Sequence, residues 1–235
     1  MYKLLLLAFA LLASPGQLLL AQKVVEKTFP LANDGKVHMN LKFGNTILVK
    51  AWDKNEVSFK ATIDINNGKL NDALVLTFDA TNQEVRALAE YDKELVKTGK
   101  REDCPEEKYS SWNHYRDGSS SYLCSTITYE LTVPRNAVLS IESINANIEL
   151  KDVAGPVVAK TINGFVDMNW PQNKSSDISM KTINGELYSD LDIEFLNKKN
   201  KNPQVGYLLK GTVKGGGTAI HLESINSDIY LRKAN

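Results

Sequence analysis

The sequence predicts an all-β protein. Its C-terminal half is expected to wind as a single-stranded β-helix, or solenoid, continuous with an N-terminal half that is either antiparallel or a β cap on the solenoid. Three observations predict this. Apolar and polar residues alternate with period two in segments that end at Gly or Asn turns. A Ser/Thr-Ile-Asn triplet recurs four times after residue 140. Two cysteines bracket a polar stretch too poor in apolar residues to build a core of its own.

The chain opens with Lys3, an unbroken apolar run from Leu4 to Ala13, a Ser14-Pro15-Gly16-Gln17 breaker, and Leu18-Leu19-Leu20-Ala21. A basic start, a short apolar core and a small residue at the end describe a secretory signal peptide over residues 1–21. The run is too short to cross about 30 Å of hydrocarbon, which takes roughly 20 apolar residues. No later segment is long and apolar enough to span, so no integral membrane segment is expected after cleavage. No cysteine near the leader offers a lipoprotein anchor. An exported protein is expected, in the periplasm, on the outer cell surface or secreted. In 235 residues, 28 Lys+Arg balance 28 Asp+Glu. That neutrality argues against nucleic acid as partner and against polybasic membrane binding, both of which need a basic surface. Hydrophobic residues at 43% suffice for a core.

Residues 22–134 read as an N-terminal β region. Val37, Met39, Leu41 and Phe43 alternate with polar residues up to Gly44-Asn45, and Val57, Phe59, Ala61, Ile63 and Ile65 alternate up to Asn66-Asn67-Gly68. Such strands place one face on a core and one in water. Residues 81–97 are open to two readings. Thr81-Asn82-Gln83-Glu84 has the form of a helix capping box, whereas Val85, Ala87, Ala89 and Tyr91 alternate like a strand. A loop over residues 97–124 holds Cys104 and Cys124. An even cysteine count behind an export signal predicts a disulfide, and closing about 20 residues is worth roughly 3 kcal/mol in the chain-entropy model. Ile127, Tyr129, Leu131 and Val133 then alternate up to Pro134.

Residues 135–235 carry the repeat. Its copies begin at Ser143 (with Asn145), Thr161 (with Asn163), Thr182 (with Asn184) and Ser224 (with Asn226). The last interval is twice the one before it, so a degenerate copy is expected inside it, around an inserted loop at residues 197–203. Alternating apolar residues lead into each copy, and the Asn-x pair is turn chemistry. Strand, corner and strand at about 20 residues per round suggest solenoid coils stacked roughly 4.8 Å apart. The Ser/Thr and Asn positions would form hydrogen-bonded ladders.

Thr161-Ile162-Asn163-Gly164, Thr182-Ile183-Asn184-Gly185 and the terminal segment 223–231 resemble a bacterial β-strand-repeat family whose members carry an adhesin name without an assigned function. They are also similar to the Gly-Ile-Asn head domain of autotransporter adhesins. Segments 44–53 and 129–134, and Gly215-Gly216-Gly217, fit the same resemblance. It implies a single-stranded β-helix of imperfect repeats in an exported bacterial protein, strand over helix for residues 81–97, and no catalytic residue.

The residues that could carry chemistry are few. His38, His114 and His221 are scattered, with neither H-x-H nor H-E-x-x-H spacing, and C-x-x-C is absent. No metal, cofactor or catalytic site is therefore expected. Gly215-Gly216-Gly217 lacks the rest of a phosphate loop and reads as a corner. Asp190, Asp192 and Glu194 alternate on what the pattern predicts as one strand, a placement compatible with calcium, with a glycosidase pair or with an ordinary solvent face. Trp52 and Trp170 read as core or edge packing. The candidate binding loop holds Tyr109, Trp112, His114, Tyr115 and Tyr122 between the cysteines, where clamped aromatics can stack on a sugar or anchor a protein. The expected role is non-enzymatic binding of an envelope or cell-surface ligand, glycan or protein. A periplasmic scaffold or a carbohydrate-active β-helix enzyme are the alternatives. Replacing Trp112 and Tyr115 together by Ala is expected to weaken ligand capture and leave the melting temperature nearly unchanged. A large fall in melting temperature would place those rings in a core instead.

Overall fold

The computed structural model describes residues 22–105, 110–114, 118, 120–196 and 206–234, with 110–114 described by their backbone alone. In the first part of the chain the strands are β1 (Lys23–Pro30), β2 (Lys36–Leu41), β3 (Thr46–Trp52), β4 (Glu56–Ile65), β5 (Leu74–Ala80) and β6 (Glu84–Tyr91). A short helix, α1 (Lys93–Lys97), precedes β7 (Ser110–His114) and the long β8 (Ser120–Pro134). Then follow β9 (Val138–Glu142), β10 (Asn147–Lys151), β11 (Val157–Thr161), β12 (Val166–Trp170), β13 (Ser176–Lys181), β14 (Leu187–Ser189), β15 (Glu194–Phe195), β16 (Leu209–Val213), β17 (Thr218–Ser224) and β18 (Ile229–Lys233).

These strands form two open, mixed sheets. The first runs β1-β4-β8-β3-β10-β12-β18-β14, with β7 attached to β8. The second runs β15-β16-β13-β17-β11-β9-β2-β6-β5. Six strand pairs pass from the second sheet to the first: β2 to β3, β6 to β8, β9 to β10, β11 to β12, β13 to β14 and β17 to β18. Within each sheet these twelve strands pair in parallel. Each pair is therefore a tier. The N-terminal and C-terminal regions share both sheets, because β3 pairs with β10 and β2 with β9.

The core lies between the sheets and follows from the period-two pattern. In the first sheet, Ile47, Ile148, Val166 and Ile229 occupy one register row, and Val49, Leu150, Met168 and Leu231 another. All eight are buried. Identical positions repeat at about the 4.8 Å spacing of hydrogen-bonded strands, so each aliphatic side chain covers its neighbour. Full burial of such a side chain is worth about 1.5–3 kcal/mol. Trp170 is fully buried, while Trp52 is half-buried at the end of β3 and donates its indole N–H to Glu56 O at 2.9 Å.

Residues 81–97 contain both of the alternatives. Glu84–Tyr91 is strand and Lys93–Lys97 is helix. Thr81 does use its hydroxyl as a cap, accepting from the Glu84 N–H at 3.1 Å, but the turn it closes is the β5–β6 hairpin. The true helix cap is Asp92, whose carboxylate accepts from the Glu94 and Leu95 N–H groups. Local hydrogen bonding alone cannot distinguish the two, since an oxygen accepting three residues ahead serves a turn as well as a helix.

The described residues form two open mixed sheets, not the expected single-stranded β-helix, and three features mark the difference. First, the tiers are not stacked in chain order: β17–β18 sits between β11–β12 and β13–β14. Second, the described residues of the interval before the last triplet form no further coil of the expected kind, because β16 runs antiparallel to β13 and β15 antiparallel to β16. Third, Asp190, Asp192 and Glu194 do not share a strand face, because β14 ends at Ser189 and β15 begins at Glu194. Asp190 is instead drawn to the chain end, accepting from the Lys233 N–H at 2.6 Å.

Side-chain chemistry explains the insertion of β17–β18. In stacking order the hydroxyl residues are Ser143, Thr161, Ser224 and Thr182, and the residues three positions on are Ala146, Gly164, Ser227 and Gly185. A Cβ at Gly164 would strike Ala146 O, and one at Gly185 would strike Ser227 O. Each glycine thus leaves room for the backbone carbonyl of the corner beside it. The residues before the hydroxyls run Glu142, Lys160, Glu223, Lys181 in the same order. Chain order would set Lys160 beside Lys181, a like-charge cross-strand pair that is destabilising. Stacking out of order alternates both size and charge.

Two substitutions test this corner. Gly164→Ala is expected to destabilise more than Thr161→Val, which removes one buried hydroxyl and its two hydrogen bonds at a cost of about 1–3 kcal/mol. Urea unfolding of both variants checks the order. Equal midpoints with the parent would show that the corners are not closely stacked.

Candidate functional site

The four triplets come together as one ladder along the corner between the sheets. Thr161 Oγ1 donates to Ala146 O at 2.9 Å, Ser224 Oγ to Gly164 O at 2.8 Å, and Thr182 Oγ1 to Ser227 O at 2.8 Å. Ser143 Oγ begins the row by donating to Leu41 O at 2.8 Å. In the Ser143, Thr161 and Ser224 corners the same oxygen accepts the N–H three residues on. The asparagines form a second ladder, Asn145–Asn163–Asn226–Asn184, with every Nδ2-to-Oδ1 step at 2.8 Å. Between the two rows stand Ile144, Ile162, Ile225 and Ile183, half-buried or exposed.

The outer face of the second sheet carries the densest polar network. Arg86, His38, Ser140, Val158, His221, Ser179 and Lys210 share one register row across seven strands. Ser179 Oγ lies 2.8 Å from His221 Nδ1, and His221 Nε2 lies 3.4 Å from Glu223 Oε2. Glu223 also takes Lys181 at 3.1 Å and Lys160 at 3.9 Å. Burial pushes the Glu223 carboxyl up, but hydrogen bonds from Lys181 and His221 and the charges of Lys181 and Lys160 outweigh it, so its pKa falls below the ordinary value. At the other end of the row, Arg86 donates to Glu84 at 2.9 Å and His38 stands 3.1 Å from the same carboxylate. The Arg86 hydrogen bond holds Glu84 below its ordinary value.

Three grooves open on this face and its corner. One of about 330 Å³ is lined by His38, Asn40, Thr77, Asp79, Arg86 and Glu142, among others. A second of about 380 Å³ includes Val158, Asp177, Ser179, Lys210, Thr212 and His221. A third of about 360 Å³ follows the corner past Lys42, Glu142, Ile144, Lys160, Ile162, Glu223 and Ile225.

The Ser179–His221–Glu223 chain has the order of a nucleophile relay, but its setting differs from that of an acyl-transfer site. Strand β13 is paired on both edges, to β17 and to β16. Its backbone N–H groups are thus spent in sheet ladders rather than converging on an oxyanion.

The candidate loop is only partly placed. Tyr109 and Tyr115 lie outside the described residues. Trp112 and His114 belong to β7, where Trp112 stands opposite Tyr122 and His114 opposite Ser120. Tyr122 is half-buried. Cys104 and Cys124 form a disulfide, with Cα atoms 5.7 Å apart. Its base is tied down by Asn66, fully buried and with positive φ, whose Nδ2 donates to Tyr122 O at 2.9 Å and whose Oδ1 accepts the Cys124 N–H at 3.0 Å. Lys69 pairs with Asp103 beside it.

Asp192 and Glu194 both line a cavity of about 610 Å³ with Lys214 and Lys233, whereas Asp190 accepts from the Lys233 N–H. Gly215-Gly216-Gly217 forms the turn between β16 and β17, all three with positive φ. Among the described residues no three His, Cys, Asp or Glu side chains gather as a metal site would require. The Ser179–His221–Glu223 network went unread in the sequence because Ser179 lies 42 and 44 positions before its two partners. Aligning the triplets shows Ser179 and His221 three places before the hydroxyl in their copies, a signal that gains meaning only once those copies are neighbours.

No family model matches the chain, and no curated protein matches it. Solved structures resemble it, three of them as follows. A "putative cell adhesion protein" from Clostridium sporogenes aligns over 90% of this chain and 100% of its own, with 10% identity and a TM-score of 0.42. A "putative adhesin" from Bacteroides fragilis aligns over 90% and 97%, with 7% identity and a TM-score of 0.26. A "putative lipid binding protein" from Parabacteroides distasonis aligns over 90% and 97%, with 9% identity and a TM-score of 0.24. Likeness at this level carries nothing about function to this chain.

The charge row makes two expectations. Glu223 has a depressed folded pKa, so its contribution to stability is complete above the ordinary glutamate value and is lost as pH falls through the lower folded value. Chemical denaturation of Glu223→Gln across the acid range should therefore show a smaller loss on acidification than the parent. Glu223→Lys would set three lysines side by side and should destabilise more than Glu223→Gln. An equal effect of the two would mean the alternation is not energetically relevant.

Proposed function

We propose that this chain is an exported, non-enzymatic binding module of the bacterial cell envelope, adhesin-like in role, built as a solenoid whose tiers are wound out of chain order. The observation that carries the reading is the outer face of the second sheet. Three grooves of about 330–380 Å³ open there and along its corner; the first is lined largely by polar and charged side chains, and the other two set such side chains, His221, Lys210 and Glu223 among them, beside apolar residues. Grooves of a few hundred Å³ suit individual residues of a sugar or peptide chain. Side chains held in register by parallel ladders lose little further freedom on binding, which favours affinity through pre-organisation. The ligand is an extended polar chain, glycan or protein, laid across the tiers.

Export is supported by the leader-like residues 1–21 and by the Cys104–Cys124 disulfide, since such bonds persist in oxidising compartments. Among the described residues no helix is long and apolar enough to cross a membrane. The absence of catalysis is part of the proposal, and the double pairing of β13 around Ser179 supports it.

The test is a glycan-array and cell-extract binding screen on oxidised residues 22–235, repeated with His221→Ala and with the Trp112→Ala, Tyr115→Ala double variant. Reproducible capture of an envelope glycan or protein that His221→Ala weakens severalfold is expected. Capture unaffected by His221→Ala but lost in the double variant would move the site to the disulfide hairpin. Failure to bind any component, or turnover of an ester or polysaccharide substrate that Ser179→Ala abolishes, would overturn the reading.

A further inference from the structure

A second surface lies on the opposite side of the molecule, on the outer face of the first sheet. Phe165, Tyr230 and Tyr188 come from three consecutive tiers. The rings of Tyr188 and Tyr230 are stacked, with centroids 5.1 Å apart and planes 8° from parallel. Phe165 meets Tyr230 edge-on at 6.3 Å and 84°. The Arg232 guanidinium lies 4.8 Å from the Tyr230 ring and pairs with Asp167 at 3.1 Å. Each tyrosine is also fixed at its hydroxyl. Tyr188 donates to Glu186 at 2.5 Å and Tyr230 to Asp228 at 3.0 Å.

This aromatic row stops at an edge. Among the described residues β14 is the last strand of the first sheet and Tyr188 has a neighbouring ring on one side only; the residue is 44% exposed. The ring is held by stacking on one face and by its hydroxyl, while its other face is open. A ring-shaped ligand can take the place of the missing tier. The chemistry around it selects the kind of ring. Glu186 and Asp228 are acceptors with lone pairs left over, which suits a ligand rich in hydroxyl donors. With Glu149 and Asp167 they make four carboxylates against the two cations Arg232 and Lys151, a balance that disfavours an anionic ligand.

We propose that the open face of Tyr188 is a stacking platform for a pyranose that carries no negative charge, presented by a neutral or amine-bearing glycan, with Glu186 accepting from its hydroxyls. The apolar C–H face of the sugar covers the ring, and the carboxylate fixes its orientation. This site is separate from the grooves of the second sheet and does not depend on them.

The experiment titrates residues 22–235 with chitohexaose, cellohexaose, a chitosan hexamer and oligogalacturonate by calorimetry. At least one of the first three should bind and oligogalacturonate should not. Tyr188→Ala should weaken binding by about tenfold, as expected for loss of one ring contact of about 1.4 kcal/mol, and Tyr188→Trp should preserve or tighten it. Unchanged thermal melting of the Trp variant keeps the comparison valid if the Ala variant is unstable. No binding of the three uncharged or basic hexamers, a preference for oligogalacturonate, or binding indifferent to both Tyr188 variants overturns the proposal. Binding that His221→Ala removes and the Tyr188 variants do not would place the sugar in the second-sheet grooves, leaving the envelope-binding reading standing and this one overturned.

Discussion

The molecule depends on one repeated hydrogen bond, in which a Ser or Thr hydroxyl at the end of a second-sheet strand donates to the backbone carbonyl of the adjoining tier. In three of the four corners the same oxygen receives the N–H of its own tier three residues on. One side-chain atom thus shapes the corner of its own tier and fastens it to the next. At the corner the chain leaves one sheet for the other; there the Asn163 and Asn226 N–H groups still bond the Ile144 and Ile162 carbonyls of the adjoining tier, while the Ala146, Gly164 and Ser227 carbonyls take the hydroxyls. Buried and unpaired, each would cost about 1–3 kcal/mol. The asparagine row then repeats the linkage on the outside, where the Asn163 and Asn226 amides each donate to one neighbour and accept from the other.

A ladder of this kind fixes spacing but not order, because any Ser/Thr-Ile-Asn corner can stack on any other. Order comes from what differs between the copies. Gly164 and Gly185 each accept a neighbouring backbone that a side chain would displace, and the corners they meet carry Ala146 and Ser227. Lys160 and Lys181 are kept apart by Glu223, which draws both. The last stretch of chain is therefore inserted between two earlier tiers instead of being added at the end. The glycine turn at residues 215–217 and the antiparallel β16 supply the reversal that returns the chain to that position.

The two outer faces express the same regularity differently. On the second sheet, parallel register gathers polar and charged residues into two clusters, one around Glu223 and one around Glu84, with grooves beside them. On the first sheet it stacks aromatic rings until the sheet ends. In both cases the strands hold side chains in place through a rigid backbone, so the surface chemistry is fixed before any ligand arrives. The disulfide at Cys104–Cys124, buttressed by the buried Asn66, anchors the β7–β8 hairpin to this frame.

The sequence by itself determined the strand content, the core positions and the corners, because period-two alternation and the Ser/Thr-Ile-Asn triplet are local patterns with local causes. Leu139 and Ile141 before Ser143, or Ile220 and Leu222 before Ser224, are core residues for reasons visible in ten neighbouring positions. It also identified the two cysteines that pair. It could not decide residues 81–97, where Thr81 caps a hairpin with the same hydrogen bond a helix would use. Nor could it order the tiers, or bring Ser179 to His221 and Tyr188 to Tyr230. Those neighbours are set by which copies lie side by side, and that choice rests on steric and charge differences between corners far apart in the chain. Such differences become energies only when the tiers are in contact, and so tertiary structure alone decided them.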